Sequence, residues 1–381
     1  MDMAGSTWGT LLTMTTWGES HGKGVGVVVD GCPAGLKLCE ADIQRYLDRR
    51  KPGQSKFTTK RQEDDVVEIL SGVFEGKTTG TPISLLVRNT DQRSHDYSEI
   101  MNIYRPGHAD YTFDEKYGFR DYRGGGRSSG RETIGRVAAG AIAAKLLDSL
   151  GIFVTAYAVS IGPVEVDPER FDMAERDKNR VCMPDAEAAA QAETYLEKLM
   201  EQKDSAGGVV ECVVTGMPVG IGEPVFEKLD ARLAHGIMSI GAVKGVEIGD
   251  GFAAARNIGS VNNDGFRMQE TEAAKGLDAC GRKQIRKLTN HAGGILGGMS
   301  DGSPIILRAA FKPTPSIASL QQTVTSQGED VVTVIKGRHD PIIVPRAVVV
   351  VETMTAFTIA DMLLQSMTSR LDKIQKFFER S

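Results

Sequence analysis

The stretch that most constrains this chain is Tyr122–Arg136, YRGGGRSSGRETIGR, which runs directly into an alanine-rich segment. Ser129 and Glu132 have the Ser-x-x-Glu spacing of a capping box, which predicts a helix from about residue 131 to about residue 150. Glycines let a backbone approach a ligand closely, and a helix N-terminus offers free N–H groups. Arg127 and Arg131 are four positions apart and can share one helix face. The stretch therefore predicts an anion cradle best matched to phosphate.

Two other interpretations of this stretch stay open. The first is an ordinary helix cap that follows a glycine turn and carries two solvated arginines. The second is a disordered Arg-Gly segment of the RNA-binding kind, which is disfavoured because such tracts repeat and do not continue into an alanine-rich helix. The local chemistry favours the phosphate cradle over both.

Composition narrows the class of ligand. The chain has 381 residues, 41% of them hydrophobic and 25% charged, with a net charge of −5, which is ordinary for a soluble protein and unfavourable for general nucleic-acid binding. Positive charge is concentrated in two places, residues 120–136 and a second cluster. That cluster consists of Arg45, Arg49, Arg50, Lys51, Lys56, Lys60 and Arg61. Two basic clusters in an acidic chain indicate a small polyanionic ligand rather than a polymer.

Other common sites find no support in the sequence. The five cysteines are scattered and form no C-x-x-C, so neither a disulfide framework nor a zinc site is indicated. There is no H-E-x-x-H metal motif, no Walker A motif, and no G-x-G-x-x-G that opens a βαβ unit. No apolar run is long enough to span a bilayer and no signal-peptide pattern is present, so we expect a cytoplasmic protein without metal.

Hydrophobic patterning predicts a mixture of strands and helices without strict βαβ alternation, and therefore one α+β unit over residues 1–381. We see no internal sequence repeat and no linker. The predicted strands are 9–18, 25–31, Val66–Gly72, Pro82–Val87, Ile152–Ile161, Gly207–Thr215, Val243–Ile248, Pro304–Phe311 and Ala347–Val351. The predicted helices are Glu40–Arg50, 131–150, Asp185–Gln202, Phe226–Ile240 and Thr358–Phe378. Residues 51–65 and Asp91–Tyr122 lack an apolar period and are predicted to be functional loops.

Three short loops place a histidine beside glycine or proline. They are Gly18–Gly22 (GESHG), Arg105–Asp110 (RPGHAD) and Arg338–Pro341 (RHDP). GESHG has the spacing of a nucleophile elbow but lies between two predicted strands instead of between a strand and a helix, so that assignment fails. Lys312–Ser316, KPTPS, offers a cation and hydroxyls in a rigid turn. Each loop alone is compatible with a solvated turn, but together they indicate a site on a rigid scaffold.

Read in order, these motifs and their neighbours resemble the chorismate synthase family over most of the chain, from about Gly9 to Leu371. The matching segments are GESHG, DRRKPGQS, RPGHADYT, YRGGGRSSGRET, KGVEIGDGF, HAGGILGG, FKPTPS and GRHDP. The resemblance implies an α+β fold, a β-α-β sandwich with internal pseudo-symmetry in one large domain. It also implies a homotetramer that eliminates phosphate from 5-enolpyruvylshikimate 3-phosphate to give chorismate, with reduced FMN as cofactor and NADPH as a source of reducing equivalents.

The same resemblance implies roles for individual residues. Substrate anions would be bound by Arg50, Lys56, Arg105 and Arg131. FMN would be held by Arg127, Ser128, Ser129, Val261, Asn262, Gly297, Lys312, Pro313, Thr314, Pro315, Ser316 and Arg338. His21 would protonate the departing phosphate, His108 would protonate the reduced flavin near its N1–C2 edge, and Asp340 would assist proton removal from C6 through flavin N5.

The chain departs from the family pattern at two of these positions. Position 56 is commonly arginine in the family, and Lys56 keeps the charge but loses the bidentate fork. The family positions that correspond to Arg50 and Lys56 are also linked to NADPH. Many members have KPTSS where this chain has KPTPS, which changes the contact expected at Pro315.

Two rival functions fit the sequence less well than this resemblance does. A kinase or phosphatase would need a metal site or a nucleotide loop, and an Arg/Gly RNA-binding module would need a basic chain. Because no nicotinamide fingerprint or extra domain is evident, we expect the flavin to be reduced by an external reductase. We also expect the loops 51–61 and 91–122 to close on FMN and substrate, since they are polar and have little apolar surface to anchor them.

Overall fold

The structure is a computed structural model that describes residues 5–53, 57, 63–90, 101–268, 285–335 and 340–379. The strands are β1 (Thr7–Trp8), β2 (Thr13–Gly18), β3 (Gly24–Asp30), β4 (Val67–Ile69), β5 (Val73–Phe74), β6 (Lys77–Thr78), β7 (Ile83–Arg88), β8 (Phe153–Ile161), β9 (Val164–Glu165), β10 (Gly208–Thr215), β11 (Val243–Ile248), β12 (Phe266–Met268), β13 (Ile285–Lys287), β14 (Ile295–Leu296), β15 (Met299–Ser300), β16 (Ile305–Phe311), β17 (Leu320–Val324) and β18 (Asp330–Val334). The helices are α1 (Glu40–Arg50), α2 (Asp110–Tyr117), α3 (Thr133–Asp148), α4 (Ala186–Glu201), α5 (Leu229–Met238), α6 (Gly259–Asn262), α7 (Val344–Gln365) and α8 (Leu371–Phe378).

Two five-stranded antiparallel sheets form the frame. Sheet 1 has the order β1-β2-β3-β7-β4, and sheet 2 has the order β11-β16-β10-β8-β9. In each sheet the strands alternate between buried and less buried residues, as in β7 and β16. This period of two places one face of each sheet against the core.

The two sheets are built by the same path through the chain. The first half runs β2, β3, α1, β4, β7 and α3, and its strands lie in the order β2-β3-β7-β4. The second half runs β8, β10, α5, β11, β16 and α7, and its strands lie in the matching order β8-β10-β16-β11. Topology therefore reveals the internal pseudo-symmetry for which the sequence shows no repeat.

The helices lie between the sheets. Helix α3 packs on β2, β3 and β7, helix α7 packs on β8 and β10, and the two helices pack on each other. At their contact, a Cβ atom on Gly140 would lie 2.7 Å from the backbone carbonyl carbon of Thr353, so the close approach requires a glycine. Helix α1 flanks α3, and α5 flanks α7. The result is a β-α-β sandwich of the α+β class, as expected.

The prediction of a strand at Ala347–Val351 is wrong, because these residues lie inside α7. A short apolar run rich in valine cannot be assigned to strand or helix from periodicity when every face of the element is buried. The helix predicted at Thr358–Phe378 is two elements, since α7 ends at Gln365 and α8 begins at Leu371. Within the described residues, Val344–Thr368 is the one helical stretch long and apolar enough to cross a membrane, but 89% of its most apolar window is buried in the protein, as in a core helix.

Helix α2 lies within Asp91–Tyr122, so the prediction of a loop over this whole segment is wrong for Asp110–Tyr117. The helix buries only Asp110 and carries no apolar face, so hydrophobic periodicity could not reveal it. Its end is marked by Gly118 in the left-handed conformation, with φ of 79°. Residues 91–100 and most of the predicted loop 51–61 lie outside the described part of the chain, so the expectation that these loops close on ligands stays a prediction.

Candidate functional site

The glycine-rich loop lies directly on His21. Gly124, Gly125 and Gly126 all have positive φ angles, of 65°, 81° and 50°. A Cβ atom on Gly124 would lie 2.5 Å from Nδ1 of His21 and 2.9 Å from Oγ of Ser20, so a side chain there would displace the imidazole. His21 is buried in the loop between β2 and β3, and its Nδ1 lies 3.0 Å from Oγ of Ser20.

The residues after the glycines differ in detail from the predicted capping box. Ser129 Oγ accepts a hydrogen bond from the Arg131 backbone N–H at 3.3 Å, but the Glu132 carboxylate accepts from Thr16 Oγ1 at 3.1 Å and from Arg136 Nε at 2.8 Å. One turn of 3-10 helix, Gly130–Glu132, therefore precedes α3. The reciprocal cap fails because a long-range partner on β2 competes for the glutamate.

Arg127 and Arg131 have separate partners instead of sharing one helix face. Arg127 Nη1 donates to the Gly18 carbonyl at 3.0 Å, and Nη2 donates to Oγ1 of Thr16 at 2.6 Å. Its guanidinium thus fastens the glycine loop to the end of β2. Ser128 Oγ donates to the Gly125 carbonyl at 2.7 Å, which closes the loop on itself.

Arg131 is buried at the centre of a polar network. Its Nη1 lies 2.9 Å from Oδ1 of Asp65, its Nη2 lies 3.3 Å from Oε2 of Glu63, and its Nε donates to Oδ1 of Asn89 at 2.5 Å. The sequence analysis did not single out these three partners. The acidic run RQEDD in the 51–65 loop was the available signal, but nothing local tells which basic residue such a run will meet.

Arg50, at the end of α1, is a buried cation with too few partners. It is 2% exposed, and its closest carboxylate oxygen is Oδ2 of Asp65, 3.6 Å from Nη2. Within the described residues, its Nε and Nη1 have no hydrogen-bond partner. Burial is the main cause that lowers the pKa of Arg50 to about 9; the positive charges of Arg346 and Arg131 act in the same direction, and the carboxylates of Asp65 and Asp340 oppose it. A guanidinium in this state favours an anionic ligand.

Asp340 lies beside this cluster through Arg346. Arg346 Nη1 lies 2.6 Å from Oδ2 of Asp340, while its Nε donates to the backbone carbonyl of Arg50 at 2.9 Å. Pro341, the next residue, accepts a backbone hydrogen bond from Ala206 at 3.0 Å. The carboxylate predicted to act in catalysis is thus held against the buried arginine predicted to bind substrate.

His108 joins two predicted motifs. Its Nε2 lies 2.8 Å from Oγ of Ser316, and its Nδ1 lies 3.0 Å from the Pro106 carbonyl. Because a carbonyl only accepts, Nδ1 carries the proton, and in the neutral ring Nε2 accepts from Ser316. Lys312 Nζ donates to the Gly107 carbonyl at 2.8 Å. The RPGHAD and KPTPS motifs therefore meet across more than 200 residues of sequence.

An open cavity of about 260 Å³ lies at this junction. It is lined by Pro106, Gly107, Asp204, Ser205, Pro313, Thr314, Pro315, Ile317 and Gln321. Within the described residues, Oγ1 of Thr314 and Nε2 of Gln321 are buried without hydrogen-bond partners. These orphaned polar atoms suit a ligand that offers both donors and acceptors. Ser205, one residue before Ala206, donates to the Thr314 carbonyl at 2.7 Å, which links the cavity to the Asp340 segment.

Arg105 is already engaged in a bidentate ion pair. Its Nε and Nη2 each lie 2.7 Å from a carboxylate oxygen of Asp110. Burial alone would raise the pKa of Asp110, but the hydrogen bonds and charge of Arg105 outweigh burial and lower it. In this conformation Arg105 anchors the start of α2, so binding substrate would require the pair to open or to be shared.

Three of the residues predicted to hold FMN lie elsewhere. Val261, Asn262 and Gly297 belong to segments near the start of β16, where Gly249 donates to the Ile306 carbonyl. Lys312 follows the other end of the same strand, about 20 Å away for a strand of this length. No hydrogen bond or ion pair in the described part of the chain joins the three to either histidine loop. Lys56 and Arg338 lie outside the described residues.

Fold and site together define a class: a β-α-β sandwich protein with helices between its sheets and buried arginines suited to a small polyanion. The family model for chorismate synthase matches residues 12–364. The chain is 65% identical over 378 residues to the chorismate synthase of Lachnospira eligens, a match that covers 99% of this chain and 100% of the relative. It is 64% identical to the chorismate synthase of Agathobacter rectalis over the same shares of both chains.

A solved structure supports the same assignment. A crystal structure of chorismate synthase matches 97% of this chain and 97% of its own, with a TM-score of 0.73 and 33% sequence identity. The chain therefore belongs to the chorismate synthase family. Its activity is that of a carbon–oxygen lyase: a 1,4-anti elimination of phosphate from 5-enolpyruvylshikimate 3-phosphate, which yields chorismate for aromatic amino acid biosynthesis. The family carries out this reaction with a reduced flavin.

Proposed function

We propose that the described arginine network is the substrate site of this reaction, with reduced FMN as the flavin. The observation that carries the proposal is Arg50, a buried guanidinium close to Arg131 and Asp340 whose Nε and Nη1 have no hydrogen-bond partner among the described residues. The substrate carries two carboxylates and a phosphate, and such groups accept the hydrogen bonds that Arg50 leaves unmade. Lys56 and Arg105 complete the set of proposed substrate cations.

Three residues of the chain then handle protons. His21 donates a proton to the departing phosphate, since imidazole has a pKa near working pH and the ring is held by Ser20 and Gly124. Asp340, oriented by Arg346, assists the removal of the proton from C6 of the substrate ring. His108, when protonated at Nε2, donates that proton to the flavin. In the neutral ring, Nε2 accepts a hydrogen bond from Ser316 Oγ instead.

The cavity beside His108 is the proposed flavin site. Thr314 Oγ1 and Gln321 Nε2, which have no hydrogen-bond partner among the described residues, fit the carbonyls and ring nitrogens of an isoalloxazine, which both accept and donate. Reduced FMN supplies electron density that helps phosphate to leave. Lys312, Pro313, Thr314, Pro315, Ser316 and Arg338 would hold it on one side, and Arg127, Ser128 and Ser129 on the other.

Assembly would account for the residues at the far end of β16. We propose a homotetramer in which Val261, Asn262 and Gly297 of one copy approach the flavin site of another. The exposure of Val261, at 56%, supports this proposal. Light scattering after gel filtration, with and without FMN, tests it. A monomer in both conditions that still binds FMN tightly would rule it out.

The remaining proposals concern the setting of the reaction. We propose that the whole chain, 1–381, works as one domain in the cytoplasm and receives FMN reduced by an external flavin reductase that uses NADPH. Adding NADPH and FMN in air, with and without a purified reductase, tests the source of electrons. Full turnover without the reductase would contradict the proposal.

The decisive experiment is an anaerobic assay. The protein is mixed with dithionite-reduced FMN and 5-enolpyruvylshikimate 3-phosphate, and chorismate is followed by its absorbance. We expect turnover that disappears when oxidised FMN replaces reduced FMN. Turnover without any flavin would refute the cofactor assignment, and no effect of Arg50→Met on KM or kcat would refute the substrate site.

A further inference from the structure

Asn89 lies where the loop that carries His21 meets the strand β7. It follows the last residue of β7, and its backbone N–H donates to the Lys23 carbonyl at 3.2 Å, one position beyond the ladder that pairs Gly24 with Arg88. Nothing in its sequence context, VRNTD, points to a special role.

The side chain of Asn89 uses both of its N–H donors and accepts one hydrogen bond at its oxygen. Its Nδ2 donates to the carbonyls of Glu19 at 2.9 Å and Gly22 at 2.8 Å, and its Oδ1 accepts from Arg131 Nε at 2.5 Å. Because a guanidinium only donates and a carbonyl only accepts, one orientation of the amide satisfies all three contacts.

These three bonds connect the proposed proton donor to the proposed substrate cation. Glu19 and Gly22 are the residues on either side of Ser20 and His21, so Asn89 holds both ends of the turn that carries the imidazole. Arg131 is itself held by Asp65 and Glu63. One amide thus links the turn that carries the imidazole directly to the guanidinium.

We propose that Asn89 is a positioning residue that fixes His21 relative to Arg131, so that proton donor and bound anion meet in a reactive geometry. The inference rests on the proposed role of His21. An amide is required because a carboxylate of the same shape cannot donate to two carbonyls and would repel them. A shift of about 1 Å in such a group can slow catalysis by about a hundredfold.

The chain offers a matched control in Asn179. Its Nδ2 also donates to two carbonyls, those of Glu175 and Met183, at 2.7 Å each, and it is half-buried like Asn89. Asn179 holds a loop of the segment between β9 and α4, away from both histidine loops. Asn179→Ala therefore removes the same kind of loop clamp without touching the site.

The test compares Asn89→Ala, Asn89→Asp and Asn179→Ala in the anaerobic assay, with thermal unfolding as a check on folding. We expect both Asn89 variants to lose tenfold to a hundredfold in kcat (about the range for small misplacements) with a smaller change in KM. The isosteric Asn89→Asp should be at least as slow as Asn89→Ala. Asn179→Ala should keep the wild-type kcat. Equal kcat values for Asn89→Ala and Asn179→Ala would overturn the proposal.

A double-variant cycle with His21→Ala separates this inference from the proposed function. If Asn89 acts through His21, the double variant His21→Ala/Asn89→Ala should be no slower than His21→Ala alone. A slow His21→Ala whose effect multiplies with that of Asn89→Ala would overturn the positioning role and leave the role of His21 intact. A fully active His21→Ala would overturn both.

Discussion

The two halves of the fold share one topology but contribute different side chains to the candidate site. In the first half, the connection from β7 to α3 carries Arg105, His108 and Arg131. In the second half, the equivalent connection from β16 to α7 carries the KPTPS motif and Asp340. The two connections touch through His108 and Ser316 and through Lys312 and the Gly107 carbonyl.

The chemistry of the two connections differs. The arginines of the first are buried in carboxylate pairs, Arg131 with Asp65 and Arg105 with Asp110. The second contributes a lysine bonded to a backbone carbonyl and a turn with orphaned polar atoms. The duplicated frame therefore supplies two similar connections whose side chains differ: the first carries buried arginines paired with carboxylates, and the second carries a turn that lines a cavity. The predictions below test that division.

The largest expected effect is the loss of a proposed proton donor. His21→Ala and His108→Ala should each lower kcat about a hundredfold, a typical contribution of general acid catalysis. The two should differ in cofactor binding: His21→Ala should bind FMN like the wild type, while His108→Ala should bind it more weakly because it loses the contact with Ser316. Fluorescence titration of FMN measures this affinity, and identical FMN affinities in both variants would contradict a role of the His108–Ser316 contact in flavin binding.

Arg50→Met should lower kcat/KM by about tenfold to a hundredfold, since hydrogen bonds to charged groups contribute about 1.5–3 kcal/mol. In the ligand-free protein, by contrast, Arg50→Met should leave the fold as stable as the wild type or more stable. A pKa lowered to about 9 means that the folded state binds this proton less tightly than the unfolded chain does, so the charge destabilises the fold at neutral pH and the destabilisation fades as pH rises through about 9.

Thermal unfolding from about pH 7 to about pH 10 measures this difference. We expect Arg50→Met to melt at the same temperature as the wild type or higher at neutral pH, with any gain shrinking as pH rises. Arg49→Met is the matched control on the same helix, because Arg49 makes a bidentate pair with Glu352 at 2.5 and 2.9 Å and its loss should lower the melting temperature. Equal destabilisation by both variants would show that Arg50 is as well paired as its neighbour.

Gly124→Ala should slow turnover about tenfold by pushing His21 from its position. The added methyl group would also introduce the backbone strain of a positive φ. Gly35→Ala is the control for this strain, because Gly35 has φ of +92° but open space around its Cβ position. Both variants should lose similar stability, and only Gly124→Ala should lose kcat. Similar kcat values for the two variants would mean that the glycine loop does not position His21 for catalysis.

Ser316→Ala should have the smallest effect. It removes one hydrogen bond from Nε2 of His108, worth about 1 kcal/mol, so we expect about a fivefold loss of kcat and little change in stability. Ser319→Ala, which removes a hydroxyl bonded to the Lys203 carbonyl at 3.0 Å, is the control on the same segment. A loss above about a hundredfold would mean that Ser316 does more than orient the imidazole.

Local sequence determined much of the frame. Helix α1 and strand β11 have the predicted bounds, because an amphipathic period with charged ends and a short branched run flanked by glycine are signals carried by neighbouring residues. The motifs also pointed to the loops that form the site. The duplicated topology, helix α2 and the helical state of Ala347–Val351 were not predictable, since each depends on what packs against the segment.

The same contrast between local sequence and tertiary structure applies to the candidate site. The sequence alone predicted a phosphate-binding site that contains arginines, together with the loops that carry its histidines. Only the tertiary structure decided that Arg131 pairs with Asp65, that two Arg50 nitrogens find no hydrogen-bond partner in the described part of the chain, and that Asn89 holds the turn around His21. The physical reason is distance along the chain: hydrogen bonds and burial join residues 40 to 300 positions apart, and no local pattern records which partners folding will bring together.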